Sequence, residues 1–347
     1  IHDALGASYL GLGLHDSARH HFDSAFDERS ARLGAEHPDV AISHKHLGDL
    51  AFQQFDLAAA DRHFGRALDV RRQHFGDASA EVAESLHDLG ATRHFQGRLD
   101  DAVQLFEDAL AIREEQLADD DPRLAATLDS LGATLHALGR STDGERLVRR
   151  ALALRERRFG EIHGSTIDSL NNLAMIVAAQ GKLDEAVTFQ RRAMALDDRR
   201  LPEDHVRHVE HRQNLAGFLK DLEAFDQARP VLRDALDRQH RLFGTGQHNE
   251  VTLVALLGDL ERDAGHPDRA VEHYVKALDL ARRLDEDVMT QVDLLLHAGH
   301  AAVQADRPDQ AAPLVVEGLA LFETTGMGEN GWTDWARTWL AGHRGAS

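Results

Sequence analysis

The chain of 347 residues contains no cysteine. That excludes disulfides, thiol nucleophiles and cysteine-ligated zinc, and it suits a reducing compartment. Positive charge is in deficit, with 39 Lys and Arg against 59 Asp and Glu for a formal charge of −20. Nucleic acid and anionic membrane both need clustered Lys and Arg, so neither is an expected partner. No apolar run approaches the roughly 20 residues that cross a bilayer, and no signal peptide opens the chain. A soluble, cytoplasmic protein is expected. Proline is limited to 7 residues and aromatics to 5%, while 42% of residues are hydrophobic. This is an ordinary folded composition, rich in the alanine that close helix packing needs.

What the chain does have is self-similarity. Gly48, Gly90 and Gly132 each follow a leucine at a step of 42 residues, and the register runs from Leu5–Gly6 to Leu257–Gly258. A second column holds Ala18, Ala60, Ala102, Gly144, Ala186, Ala228 and Ala270. A third holds Ala25, Ala67, Ala109, Ala151, Ala193, Ala235 and Ala277. A last unit, one residue shorter, carries Ala298–Gly299, Ala311 and Gly318 in the same slots, making eight units. Their expected bounds are 1–36, 37–78, 79–120, 121–162, 163–204, 205–246, 247–286 and 287–325, followed by a tail over 326–347. No linker interrupts them, and such an array forms an elongated solenoid that presents a long surface.

Within a unit, apolar and small residues recur at helical spacing in two blocks, as in Leu86, Leu89, Gly90 and then Ala102, Leu105, Phe106, Ala109. Two antiparallel helices per unit follow, joined by turns such as Gln96-Gly97-Arg98-Leu99-Asp100 or Gln180-Gly181-Lys182-Leu183-Asp184. Gly is expected to relax the turn and Asp to cap the next helix. Phe22, Phe64, Phe106 and Tyr274 fill the space one turn beyond the small columns.

These features give the tetratricopeptide pattern, whose usual repeat is about 34 residues, and the extra length is expected in the loop around Gly34–Val40. Ser169-Leu170-Asn171-Asn172-Leu173-Ala174, Arg150–Glu156, that loop and Ala228-Arg229-Pro230-Val231-Leu232 resemble the kinesin light chain group of tetratricopeptide proteins over nearly the whole chain. Pro230, repeated in register at Pro313, is expected early enough in its helix for the missing N–H to cost little. The resemblance implies an all-α, right-handed superhelix of eight helix pairs with a C-terminal capping helix. It also implies peptide recognition along a concave groove lined by the first helix of each unit. Bacterial proteins of this type often sit beside a signalling kinase, a nucleotide-dependent switch or a protease, and this chain is expected to be bacterial. Because it starts at Ile1, almost on its first Leu–Gly pair, the chain is expected to be part of a longer protein.

Mapping the family's groove positions gives a polar centre of Asn171, Asn172, Gln213 and Asn214, flanked by His87, His94 and His136. Amides offer both donor and acceptor to an extended backbone. The same positions carry eleven acids, Asp3, Asp49, Glu84, Asp88, Asp129, Asp168, Glu210, Asp221, Asp259, Asp263 and Asp293, against three bases, Lys45, Lys220 and Arg262. This departs from the acidic-peptide preference of kinesin light chains and favours a basic or neutral ligand. A local basic pocket near Lys220 and Arg262 is expected to accept a single carboxylate.

Catalytic and metal motifs are not in evidence. His205, His208 and His211 stand three apart, but Arg207 and Arg212 interleave and oppose a cation. Gly181-Lys182 lacks the rest of a phosphate loop, no G-x-S-x-G occurs, and Gly11-Leu12-Gly13 lacks the third glycine of a dinucleotide site. No enzyme activity, cofactor or metal is expected. All three tryptophans, Trp332, Trp335 and Trp339, fall along one face of a short helix beginning near Thr333, as a cap on the last unit or a docking surface. The expected function is a scaffold for protein or peptide partners, or else a sensory module that clamps an upstream effector domain of its own polypeptide.

Overall fold

The computed structural model describes residues 1–328 and 330–344, which hold 17 helices and no strand. They fall into two compact units, divided after Gly181. The first contains α1 (His2–Gly11), α2 (His15–Leu33), α3 (Pro38–Gln53), α4 (Leu57–Phe75), α5 (Ala80–Phe95), α6 (Leu99–Gln116), α7 (Pro122–Ala137), α8 (Ser141–Phe159) and α9 (Gly164–Ala179). The second contains α10 (Leu183–Arg200), α11 (Arg207–Asp221), α12 (Phe225–Phe243), α13 (His248–Asp263), α14 (Pro267–Arg283), α15 (Val288–Gln304), α16 (Pro308–Glu323) and α17 (Gly331–Arg344). Within each unit every helix packs on its chain neighbours, so the fold is a stack of antiparallel pairs.

The two small columns explain why the pairs close. Ala18, Ala60, Ala102, Ala186, Ala228, Ala270 and Ala311 are all fully buried. On the facing helix, glycine makes room for a ring: a Cβ on Gly48 would stand 2.5 Å from Phe64 Cε1, and one on Gly258 would stand 2.7 Å from Tyr274 Cε1. Gly144, the one departure from its alanine column, has a reason of its own. A Cβ there would lie 2.4 Å from the backbone oxygen of Gly132, so α7 and α8 approach at a glycine–glycine contact no alanine can enter.

Several local expectations are corrected. The extra residues of the long repeat lie in the helices: α3 has 16 residues and α4 has 19, while only Gly34 to His37 separate α2 from α3. Asp100 and Asp184 do not cap; Arg98 and Lys182 occupy the N-cap positions, and the aspartates sit in the first helical turn, where their charge favours the helix dipole. Pro230 and Pro313 lie inside α12 and α16, beyond the first turn, so each removes an internal helix hydrogen bond. Gly97 and Gly181 do relax their turns, with φ of +74° and +77°. Phe55, Glu223 and Asp306 occupy the same slot and hold the same left-handed backbone without glycine's freedom.

The last helix begins at Gly331. Its tryptophans are half-buried against Val292, Leu296, Val315, Leu319 and Phe322, covering the end of the α15–α16 pair. No helix among the described residues is long and apolar enough to cross a membrane.

Candidate functional site

In the first unit, an arginine on each second helix reaches across to the first helix of the next pair. Arg29 donates to Ser43 Oγ (2.7 Å) and Arg71 to Ser85 Oγ (2.7 Å). Arg113 bonds Thr127 Oγ1, and Arg155 donates to Ser169 Oγ (2.6 Å). Arg71, Arg113 and Arg155 also donate to a backbone oxygen ten residues on, at 3.0, 2.9 and 2.8 Å. These arginines stand at the 42-residue step and were legible as a column, yet sequence reasoning about the first helices passed over them. In the second unit the same slot holds Asp197, which accepts from His211 Nε2 and Arg207 Nε at 2.8 Å each, and Gln239, whose Oε1 accepts from Asn249 (3.3 Å).

The arginines change the electrostatics of the first-helix face. Asp3 is paired with Arg29, Glu84 with Arg71 (2.9 Å) and Asp129 with Arg155 (2.7 Å). Three of the eleven acids are thus matched from behind. Lys45 serves two more, lying 2.9 Å from Asp49 and 3.8 Å from Asp88. One cation is too little for both: burial, with Asp49 and Glu84 adding to it against Lys45, pushes the Asp88 carboxyl up to about 7. Burial likewise holds the neighbouring His87 imidazole down at about 3, with Arg113 and Lys45 nearby, so it is neutral.

The polar centre is also tied in place. Asn172 is half-buried and donates to Asp129 Oδ2 (3.2 Å), so it supports α7 from α9 as well as lining a pocket. Thr134 donates its hydroxyl to the Ser130 oxygen (2.7 Å) and accepts from His94 Nδ1 (3.0 Å), which fixes the tautomer and leaves Nε2 of His94 as an acceptor. His136 Nδ1 lies 3.0 Å from Ser141 Oγ, closing the α7–α8 turn. Asn171, Asp168, Gln213 and Asn214 are half-buried on α9 and α11.

In the second unit, the basic pocket expected at Lys220 and Arg262 is already filled with acid. Lys220 pairs with Asp221 (2.8 Å) and Asp263 (3.4 Å), and Arg262 with Asp263 (2.9 Å) and Asp259 (3.3 Å). Arg262 also takes Tyr274 Oη (3.0 Å) and lies 6.0 Å from the Trp332 ring centre. Trp332 packs edge-on against His297 and His300 of α15, and Trp335 against His300. His208 and His211 are buried and turned to different partners, the Pro202 oxygen (2.9 Å) and Asp197.

Two adjoining pockets lie on the first-helix face of the first unit and share Ala91. One, of about 240 Å³, is walled by Leu10, Phe52 and Phe64 and carries Asp49, His87 and Asp88. The other, of about 170 Å³, is walled by Phe95, Phe106 and Ala133 and carries His94, Asp129 and Asn172.

The tetratricopeptide repeat profile matches residues 1–73, 45–115, 81–143, 123–199 and 208–283. The chain belongs to the tetratricopeptide repeat family. No curated protein matches its sequence. Among solved structures it is similar to the nearly identical tetratricopeptide-like repeats of a Podosopora anserina protein of kinesin light chain type, at 21% identity and a TM-score of 0.53 over 60% of this chain and 99% of that one. It is similar to BtubC of P. vanneervenii, at 20% identity and 0.56 over 64% and 90%. A Rap protein in complex with competence and sporulation factor matches at 14% identity and 0.58 over 88% and 80%. At these identities the likeness is one of fold, and the kinesin-light-chain type of repeat is among the folds it matches.

Proposed function

We propose that this tetratricopeptide repeat chain is a non-enzymatic binding scaffold whose first-helix face holds a segment of a protein partner. The observation that carries the reading is the pair of adjoining pockets in the first unit, because both are lined chiefly by first-helix side chains from α3, α5 and α7. Concave sites with apolar walls and a few placed polar groups are where ligands bind. Family membership supports the same role, and the Rap neighbour was solved with a bound factor. A basic or neutral ligand fits the surplus of carboxylate over cation around Lys45 better than an acidic one does.

The test is site-specific photocrosslinking in native lysate. A crosslinker at Ala133, on the wall of the smaller pocket, is compared with one at Gln104, which is exposed on the second helix α6. Adducts formed from Ala133 and weakened by salt are expected. Adducts formed only from Gln104 move the binding face elsewhere and sink the reading.

A further inference from the structure

Each of the two pockets is lined by an aspartate that keeps one buried carboxylate oxygen without a hydrogen-bond partner among the described residues. Asp129 is 6% exposed; its Oδ2 is held by Arg155 and Asn172, while its Oδ1 is buried with no hydrogen-bond partner among the described residues. Asp88 Oδ2 is buried in the same state, with Lys45 Nζ 3.8 Å away. A buried acceptor left unpaired is costly, so a native site that keeps two of them calls for a donor from outside. His94 adds an acceptor nitrogen at the smaller pocket. The volumes, about 240 and 170 Å³, fall below the roughly 300–1,000 Å³ of small-molecule sites and suit single side chains.

Aromatic rings line both pockets, Phe52 the larger and Phe95 the smaller. Phe52 and Phe55 both pack edge-on against Phe95, with ring centres 5.4 and 6.1 Å apart. Phe55 is 66% exposed and Phe95 53% exposed. Phe55 holds this place with a left-handed backbone (φ 59°), as Glu223 and Asp306 do in the same slot, where five of the other repeats use glycine. Rings and carboxylates lining one pocket suit a cation on an aliphatic stem: the head pairs with the acid and the stem lies on the rings.

We propose that the first unit binds a peptide segment through basic side chains, one lysine or arginine in each pocket, donating to Asp88 Oδ2 and Asp129 Oδ1 and covered by Phe55 and Phe95. This rests on the groove reading above and specifies its ligand. It also places the specificity in the first unit, where Asn172 lines the smaller pocket.

The test is a display selection of random dodecapeptides on the whole chain, followed by titration of the enriched peptides against wild type, Asp129→Asn and Ala91→Leu. Ala91→Leu fills the shared wall without removing charge. Enriched peptides carrying two or more Arg or Lys, weakened at least tenfold by both substitutions and by replacing their arginines with isosteric citrulline, are the expected result. The citrulline arm leaves the protein untouched, so it reads the same thing if Asp129→Asn fails to fold. Enriched peptides that lack basic residues, or that tolerate citrulline, yet are lost with Ala91→Leu overturn this inference and keep the groove. No enrichment, or peptides indifferent to Ala91→Leu, overturns both.

Discussion

At Gly144 a single missing methyl decides how closely α7 and α8 approach. Gly144→Ala is expected to destabilise the first unit by about 1–3 kcal/mol, because its Cβ meets backbone, which cannot swing aside as a ring can. The reverse holds at Glu223, exposed and at φ 58° in a slot filled elsewhere by Gly181 and Gly265. Glu223→Gly is expected to stabilise by about 1 kcal/mol, and urea unfolding of both variants checks the pair. Asp88 is expected to set a pH dependence. Its folded carboxyl is pushed up to about 7 from the ordinary 3.8, chiefly by burial. Its favourable contribution is therefore complete below about pH 4 and is lost as pH rises through 7. Asp88→Asn should gain stability relative to wild type between pH 5 and 8; equal gaps at the two pH values would count against this account.

Between elements, the arginine column joins each pair of the first unit to the next. Arg155 and Asp129 are each 9% exposed at the side chain, so removing one partner strands the other. Arg155→Ala is expected to cost about 3–5 kcal/mol, and much less in an Asp129→Asn background, a difference that a double-mutant cycle measures. The helices, their pairing and the small columns were legible in the sequence because close packing demands the same residue at the same step, as Leu89–Gly90 facing Phe106 shows. The ties were not. Counting Asp129 as an open groove acid and Asn172 as an open groove amide ignored Arg155, which arrives from a helix outside the mapped face. Charge read along one helix says nothing of the counter-charge another helix delivers. The same blindness made Lys220 and Arg262 look like a carboxylate site, although Asp221, Asp259 and Asp263 already surround them. The aspartates of the turns failed as caps for a plainer reason: helices α6 and α10 start one residue earlier than the aspartates.

Across the whole molecule, stability in a repeat array is a sum of pair and neighbour terms, so its ends are its weak points. Removing α17 would expose Val292, Leu296, Val315, Leu319 and Phe322 to water. Truncation before Gly331 is expected to speed amide exchange in α15 and α16 while leaving α3 to α8 unchanged; uniform acceleration would mean that the terminal helix stabilises the molecule in some less local way. The arginine column has one more consequence. Because Arg71 meets Ser85 as Arg113 meets Thr127, excising residues 79–120 would present Arg71 with Thr127 at the same fourteen-residue spacing. As far as this coupling goes, the first four pairs are expected to behave as cassettes that can be dropped or duplicated in frame. The Asp197–His211 and Gln239–Asn249 couplings further on speak a different dialect, and a cassette moved across would arrive with no one to answer it.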